Sequence, residues 1–337
     1  MPRSTEQLRR DALQIWQAGV DAVRSERLVR QSLCVDGGAL LLGDDSLPLD
    51  AIRRIVVVGA GKAGAGMAAA VEEVLGPDLM EQKHLVGWVN VPADCVRQLA
   101  RITLHAARPA GLNEPRPEGA AGCREILRLV ASLGPDDLCL CLLSGGGSAL
   151  MPAPAEGITL DDKLAVTRYL SAAGANIEQL NAVRKQLSRI KGGGLLRACR
   201  AGRLVSLIIS DVLGDPLDVI ASGPTVADTS TPEQALAVLE RFAARRSDVR
   251  PEVFEYLQRK QRTKPAEPTC QVANRIIGNN ATAVDAAGIE AERLGYSHAM
   301  LSATRCEGPA EEVGRHLAEM ACRMRAAPGP NCLISGG

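Results

Sequence analysis

Three short apolar runs, at residues 55–58, 138–143 and 204–209, each stop abruptly at a turn built from glycine, serine or aspartate. A near-continuous apolar run of this length, Ser206 being the single polar residue in the three, suits a strand buried on both faces. Residues 84–91 and 101–107 read as two more strands. The stretches between them read as helices: from about Lys62 to the Gly76-Pro77 break, over 117–133, from about Thr159, and over 177–190. Thr159-Leu160-Asp161-Asp162 is a capping pattern, and Ser4 or Thr5 caps an opening helix that runs to about Ser32. This alternation predicts an α/β fold, a Rossmann-like and mostly parallel sheet with helices on both faces.

A chain of 337 residues has room for two domains. Composition changes over residues 245–269, and Lys264-Pro265-Ala266-Glu267-Pro268 cannot hold regular structure. The expected division is therefore a domain over 1–244, a linker over 245–269, and the start of a second, incomplete α/β domain over 270–337. Its elements are a strand at 275–278, a helix at 281–294, a strand at 299–302, a helix at 309–325 and a strand opening at Cys332. That last strand runs straight into Ser335-Gly336-Gly337, which reads as an interrupted domain.

The formal net charge of +0 offers no field for nucleic acid, and no apolar window is long enough to span a membrane. The ten cysteines contain no C-x-x-C and the four histidines are scattered, so neither disulfide nor metal spacing is present. A cytoplasmic protein acting on small molecules is expected, with homo-oligomerisation left open. Lysine is scarce, seven against 32 arginines. Three of the seven (Lys62, Lys185, Lys191) fall in or beside glycine-rich segments, where a compact ammonium suits a phosphate.

Four segments carry the chemistry. Gly59-Ala60-Gly61-Lys62-Ala63-Gly64 follows a strand and opens a helix, a place where free N–H groups meet an anion. It also matches the dinucleotide pattern G-x-G-x-x-G. The acidic ribose ligand expected about 20 residues on is missing, for Val89-Asn90-Val91-Pro92 reaches no carboxylate until Asp94. Ser144-Gly145-Gly146-Gly147-Ser148 sits at a strand end, where a backbone nest and two hydroxyls would cradle a phosphate or carboxylate. Arg184 and Lys191 stand two helical turns apart, before a second triple glycine, Gly192-Gly193-Gly194. Ser210-Asp211-Val212-Leu213-Gly214-Asp215 and then Ala221-Ser222-Gly223 supply carboxylates for a magnesium ion, or for the proton of a substrate hydroxyl.

In this order the segments resemble the type II glycerate kinase family, whose C-terminal part is called the MOFRL domain. The resemblance rests on Gly59-Ala60-Gly61-Lys62, Ser144 through Leu150, Asn181-x-x-Arg184-Lys185 and Lys191 through Gly194. It continues through Ser210-Asp211-x-x-Gly214-Asp215-Pro216, Ala221-Ser222-Gly223-Pro224-Thr225, Ile277-Gly278-Asn279-Asn280 and the final Ser335-Gly336-Gly337. It implies ATP-dependent phosphorylation of D-glycerate at its 2-hydroxyl to 2-phosphoglycerate, with Mg2+ or another divalent cation, in a cleft between two α/β domains. Lys62, Arg184 and Asp211 are then the catalytic groups. Gly61, Ser144, Gly145, Gly146, Gly147, Ser148, Lys191, Gly192, Gly193, Asp215, Ser222 and Asn279 surround the substrates, and Asp211 with Asp215 hold the metal. The family continues past Ser-Gly-Gly into a Glu-Pro-Thr and a motif with a functional arginine, so this chain alone is expected to turn over little. The alternative reading is an NAD(P)-dependent hydroxypyruvate reductase.

Overall fold

A computed structural model describes residues 3–263, 265–304 and 307–337; Lys264, in the expected linker, lies outside them. Helix α1 (Thr5–Ala22) opens with a capping box, in which the Ser4 hydroxyl accepts from the Gln7 N–H and the Gln7 side chain accepts from the Ser4 N–H. It does not run on to Ser32. The chain leaves helical geometry at Arg24 and restarts as α2 (Ser25–Ser32), because α1 packs on the C-terminal unit and α2 on the main sheet's first helix. Residues 33–48, not anticipated as structured, form an antiparallel meander of β1 (Leu33–Asp36), β2 (Ala39–Leu42) and β3 (Asp45–Pro48). The readable signal was Gly37-Gly38, whose φ of 56° and 79° make the two-residue turn that joins β1 to β2.

The main sheet has six parallel strands. In chain order the elements are β4 (Arg54–Ala60), α3 (Gly64–Gln82), β5 (Val86–Pro92), β6 (Ile102–Arg108), α4 (Pro117–Ala131) and β7 (Asp137–Leu143). There follow α5 (Gly147–Leu150), α6 (Leu160–Ala172), α7 (Ile177–Gln186), α8 (Gly194–Ala198), β8 (Arg203–Ile209), α9 (Pro232–Arg241), α10 (Pro251–Lys260) and β9 (Gln271–Gly278). The spatial order is β6-β5-β4-β7-β8-β9, the doubly wound arrangement in which direction reverses between β4 and β7. In β7 the side chains of Cys139, Cys141 and Leu143 enter one core, and Leu138, Leu140 and Leu142 enter the other. Both faces are thus covered, as the unbroken apolar run requires, and burial pushes the Cys141 thiol up to about 12. Cys34 and Cys322, by contrast, are exposed.

Several boundaries differ from the sequence reading. Helix α3 begins at Gly64 rather than Lys62, and Gly76 (φ 68°, ψ 165°) breaks it before it resumes at Pro77. Helix α7 stops at Gln186, four residues early, because Ser188 pairs with Pro154 and ties the chain back to the strand end. The expected linker contains α10, whose Phe254 and Leu257 are buried in a separate helical cluster with α6, α7 and α9. Strand β9, assigned by sequence to the second unit, pairs along its length with β8 and completes the main sheet. The C-terminal unit beyond it consists of α11 (Asn280–Arg293), β10 (His298–Ser302), α12 (Ala310–Ala326) and β11 (Cys332–Gly336), with β10 and β11 parallel in a two-stranded sheet. Helix α1 lies on α11 so closely that a Cβ on Gly19 would come 2.8 Å from the Ala283 carbonyl oxygen. Among the described residues no helix is long and apolar enough to cross a membrane.

Close approach also explains Gly61, at the end of β4. Its φ is 153°, and a Cβ there would lie 1.9 Å from the Ser144 Oγ and 2.8 Å from the Ser144 N. Gly61→Ala is therefore expected to cost about 3 kcal/mol or more, read as a shift in the denaturant midpoint. An unchanged midpoint would show that the β4 and β7 turns separate freely.

Candidate functional site

The segments that follow β6, β7 and β8 line a cavity of about 420 Å³ beside the point where strand order reverses. Its floor is the Ser144–Ser148 loop, and its wall is α6 and α7. The three glycine-rich turns differ in what their backbones do. At the first, the Lys62 N–H donates to the Gly145 carbonyl at 2.9 Å and the Ala63 N–H to Ser144 Oγ at 3.0 Å. At the third, the Gly192 N–H donates to the Ser222 carbonyl and the Gly193 N–H to the Gly223 carbonyl, at 2.9 and 2.7 Å. Neither of these turns offers those N–H groups to a ligand. Gly61, Gly192 and Gly193 let neighbouring turns come close. Only at the middle turn, among the described residues, do the N–H groups of Gly145, Gly146 and Ser148 find no acceptor within the chain. With Gly146 left-handed at φ 81°, that turn is the anion nest.

Ser148 is where the expected residues converge. Its Oγ accepts from the Lys191 ammonium at 2.6 Å and from the Arg184 guanidinium at 3.0 Å, and lies 2.8 Å from the Ser222 Oγ. Lys191 also reaches the Ser148 carbonyl at 2.8 Å. The two cations do not share a helical face, since α7 ends before Lys191; the turn after it carries Lys191 back. Ala221 and Ser222, at φ 50° and 65°, hold a backbone region that side chains rarely adopt, a strain that clusters at functional sites. Lys185, beside Arg184, points elsewhere, to Asp218 at 3.2 Å and Asp228 at 3.9 Å. It is a structural ion pair.

The sequence reading missed Lys163. It lies on α6, lines the cavity, and donates to the Leu187 carbonyl at 2.9 Å. Its place on a capped amphipathic helix, and the scarcity of lysine, were the available signals. Burial and the neighbouring Arg184 bring it down to about 7, and burial holds Lys191 and Arg184 below their usual ranges. Of the four cations that line the cavity, Arg168 is paired with Glu114, while Lys163, Arg184 and Lys191 are buried and, among the described residues, bond to no carboxylate, an arrangement that an anionic ligand would complete.

Lys163 carries a pH signature. Its folded-state value is depressed from 10.5 to about 7, so the unfolded chain binds the extra proton between those limits and stability of the free chain rises with pH across that window. Anion affinity moves the other way, falling as pH rises through about 7 and the ammonium is lost. Calorimetric titration of inorganic phosphate across this range is expected to show that fall, and Lys163→Met is expected to flatten it. A profile identical in the two proteins would remove Lys163 from the site.

Of the acidic residues, Asp211 lines the cavity, with its Oδ2 2.2 Å from where a Cβ on Gly145 would sit. Asp215 is held at the edge, its Oδ2 accepting from Asn279 Nδ2 at 2.5 Å, while Asn279 caps α11 through Thr282. Among the described residues no three His, Cys, Asp or Glu side chains group as metal ligands. One or two carboxylates fit a Mg2+ that keeps waters and takes its other ligands from substrate phosphates. Lys62 is exposed, its stem against Gly146.

Residues 11–258 match a family profile described as a domain of unknown function (DUF4147). A protein from Rattus norvegicus named "Glycerate kinase" is 38% identical over 97% of this chain, which spans 63% of that protein's length. A relative from Agrobacterium vitis, provisionally named a hydroxypyruvate reductase, is 39% identical over 87% of this chain and 65% of its own. The crystal structure of a glycerate kinase from Thermotoga maritima superposes with a TM-score of 0.79 at 32% identity, covering 98% of this chain and 74% of that one.

Proposed function

The chain belongs to the glycerate kinase family, and from that premise we propose that it serves ATP-dependent transfer of a phosphoryl group to the 2-hydroxyl of D-glycerate, in the type II, MOFRL-containing branch. The observation that carries the reading is the convergence of Arg184, Lys191 and Ser222 on Ser148, beside a glycine turn whose Gly145, Gly146 and Ser148 N–H groups have no acceptor within the chain. Glycerate is a small anion with hydroxyls. Its carboxylate would take the cationic end of the cavity, and Ser148 and Ser222 would hold its oxygens. Asp211 faces the same space and would accept the proton of the attacking hydroxyl or hold the divalent cation. That cation, arriving with ATP, supplies charge neutralisation at the transferring phosphoryl group. Lys62, whose stem lies against Gly146, would meet the phosphoryl oxygens, and the Asp215–Asn279 hydrogen bond would tie the second unit to the site. None of this needs a covalent intermediate.

The reductase name among the relatives favours a second reading, in which the first glycine turn binds a nicotinamide dinucleotide. Two local features oppose it: the Lys62 and Ala63 N–H groups are already used, and Asn90, at the end of β5, is buried and donates to the Leu150 and Gly119 carbonyls rather than to a ribose. ADP release from ATP–Mg2+ with D-glycerate, run beside NAD(P)H oxidation with hydroxypyruvate, separates the two. D-Glycerate binding by this chain, with ADP release in a protein of the relatives' full length, is the expected result; hydroxypyruvate-dependent oxidation alone would overturn it.

A further inference from the structure

Arg108 is the last residue of β6 and is only 4% exposed. Its Nη1 is committed, donating to the Leu112 carbonyl and to Asn113 Oδ1, the latter at 2.8 Å. The Nε is buried without a partner, and among the described residues Nη2 donates to no protein acceptor and no carboxylate lies within 4 Å. A guanidinium with one edge bonded and the other edge idle is costly in a buried position. Asp94 and Cys95 offset part of that cost from a distance. The idle edge has a direction. Nη2 lies 3.0 Å from where a Cβ on Gly146 would sit, and Lys62 Cε lies 3.4 Å from the same point. A guanidinium nitrogen and the end of a lysine therefore meet over Gly146, two positions before the Ser148 cluster, in a turn where the N–H groups of Gly145 and Gly146 have no acceptor within the chain.

We propose that Arg108, with Lys62 and the Gly145–Gly146 backbone, forms a second oxyanion subsite that holds the phosphoryl group in flight, distinct from the carboxylate subsite around Ser148. The assignment of the phosphoryl group rests on the kinase reading above; the existence of the subsite does not. A phosphoryl group presents three oxygens, which suits a guanidinium fork, an ammonium and backbone donors together. The carboxylate needs none of them, because Arg184, Lys191 and two serine hydroxyls already match its two oxygens. Asn113 fixes the guanidinium by accepting from Nη1, which makes it a positioning residue. Gly146 has no side chain because one would fill the space the oxyanion takes.

The test is calorimetric titration of the chain with inorganic phosphate and, separately, with D-glycerate. Arg108→Gln is expected to weaken phosphate binding about 10-fold or more while changing D-glycerate affinity less than about 3-fold. Asn113→Ala leaves the cation in place but loosens it, and is expected to cost phosphate affinity about 3-fold; it also decides the matter should Arg108→Gln not fold. Unchanged phosphate affinity in the folded variants, or equal losses for both ligands, would overturn the proposal, as would a parent chain that binds no phosphate. If the parent binds no D-glycerate yet its phosphate affinity still depends on Arg108, the subsite stands and the glycerate reading fails.

Discussion

Lys191→Met should bind D-glycerate about 10- to 100-fold more weakly than the parent and yet melt at the same temperature or slightly above it. The two effects come from one feature. Lys191 is 2% exposed, and all its hydrogen bonds go to neutral acceptors, the Ser148 carbonyl and the Ser148 and Ser222 hydroxyls. Desolvating an ammonium costs several kcal/mol, which such bonds only partly offset. A thioether of similar length leaves the Ser148 carbonyl short of a donor, a loss of about 1–3 kcal/mol, but removes the larger charge penalty. For the ligand, a charge-assisted hydrogen bond contributes about 1.5–3 kcal/mol, hence the predicted range in affinity. Lys185→Met is the control. Its ammonium is paired with Asp218 and Asp228, and Asp228 is itself nearly buried. Breaking that pair should cost about 2–3 kcal/mol with little change in affinity. If the two variants behaved alike, Lys191 would be a structural residue.

That contrast shows where sequence reasoning runs out. Arg184 and Lys185 are adjacent in one motif, and nothing in their order tells which faces the cavity and which an ion pair; the answer depends on Asp218 and Asp228, more than 30 residues away. The parallel sheet was legible because its central strands β4, β7 and β8 are near-continuous apolar runs, and the site's position followed from where those runs stop. The difference among the three glycine turns was not legible. It arises from contacts between turns, Lys62 to Gly145 and Gly192 to Ser222, which use up N–H groups that look free when each segment is read alone. Strand β9 was misplaced for a related reason: the polar stretch before it resembles a linker, and only its register with β8 places it in the sheet. Arg108 escaped notice because an arginine at a strand end is ordinary until its idle edge is seen beside Gly146. The β1–β2 hairpin, by contrast, was readable from Gly37-Gly38 and was overlooked.

Lys62→Ala, made in a protein of the relatives' full length, should lower turnover of D-glycerate, read as ADP release, by a factor on the order of 100 while leaving the melting temperature unchanged. The side chain is exposed and, among the described residues, makes no hydrogen bond or ion pair, so the folded chain loses little with it. In the proposed reaction it loses a cation that would stand where charge develops on the phosphoryl oxygens. Because that charge grows toward the transition state, kcat should fall far more than KM rises. Lys62→Arg is the sharper variant. The lysine stem lies with Cγ and Cε 3.5 and 3.4 Å from the space above Gly146, so a longer, planar guanidinium would overshoot the point the ammonium reaches and crowd Arg108. It should restore phosphate affinity in part and turnover hardly at all. Full recovery by arginine would mean that Lys62 contributes only diffuse positive charge at the rim, and parent-level turnover in Lys62→Ala would remove it from the reaction altogether.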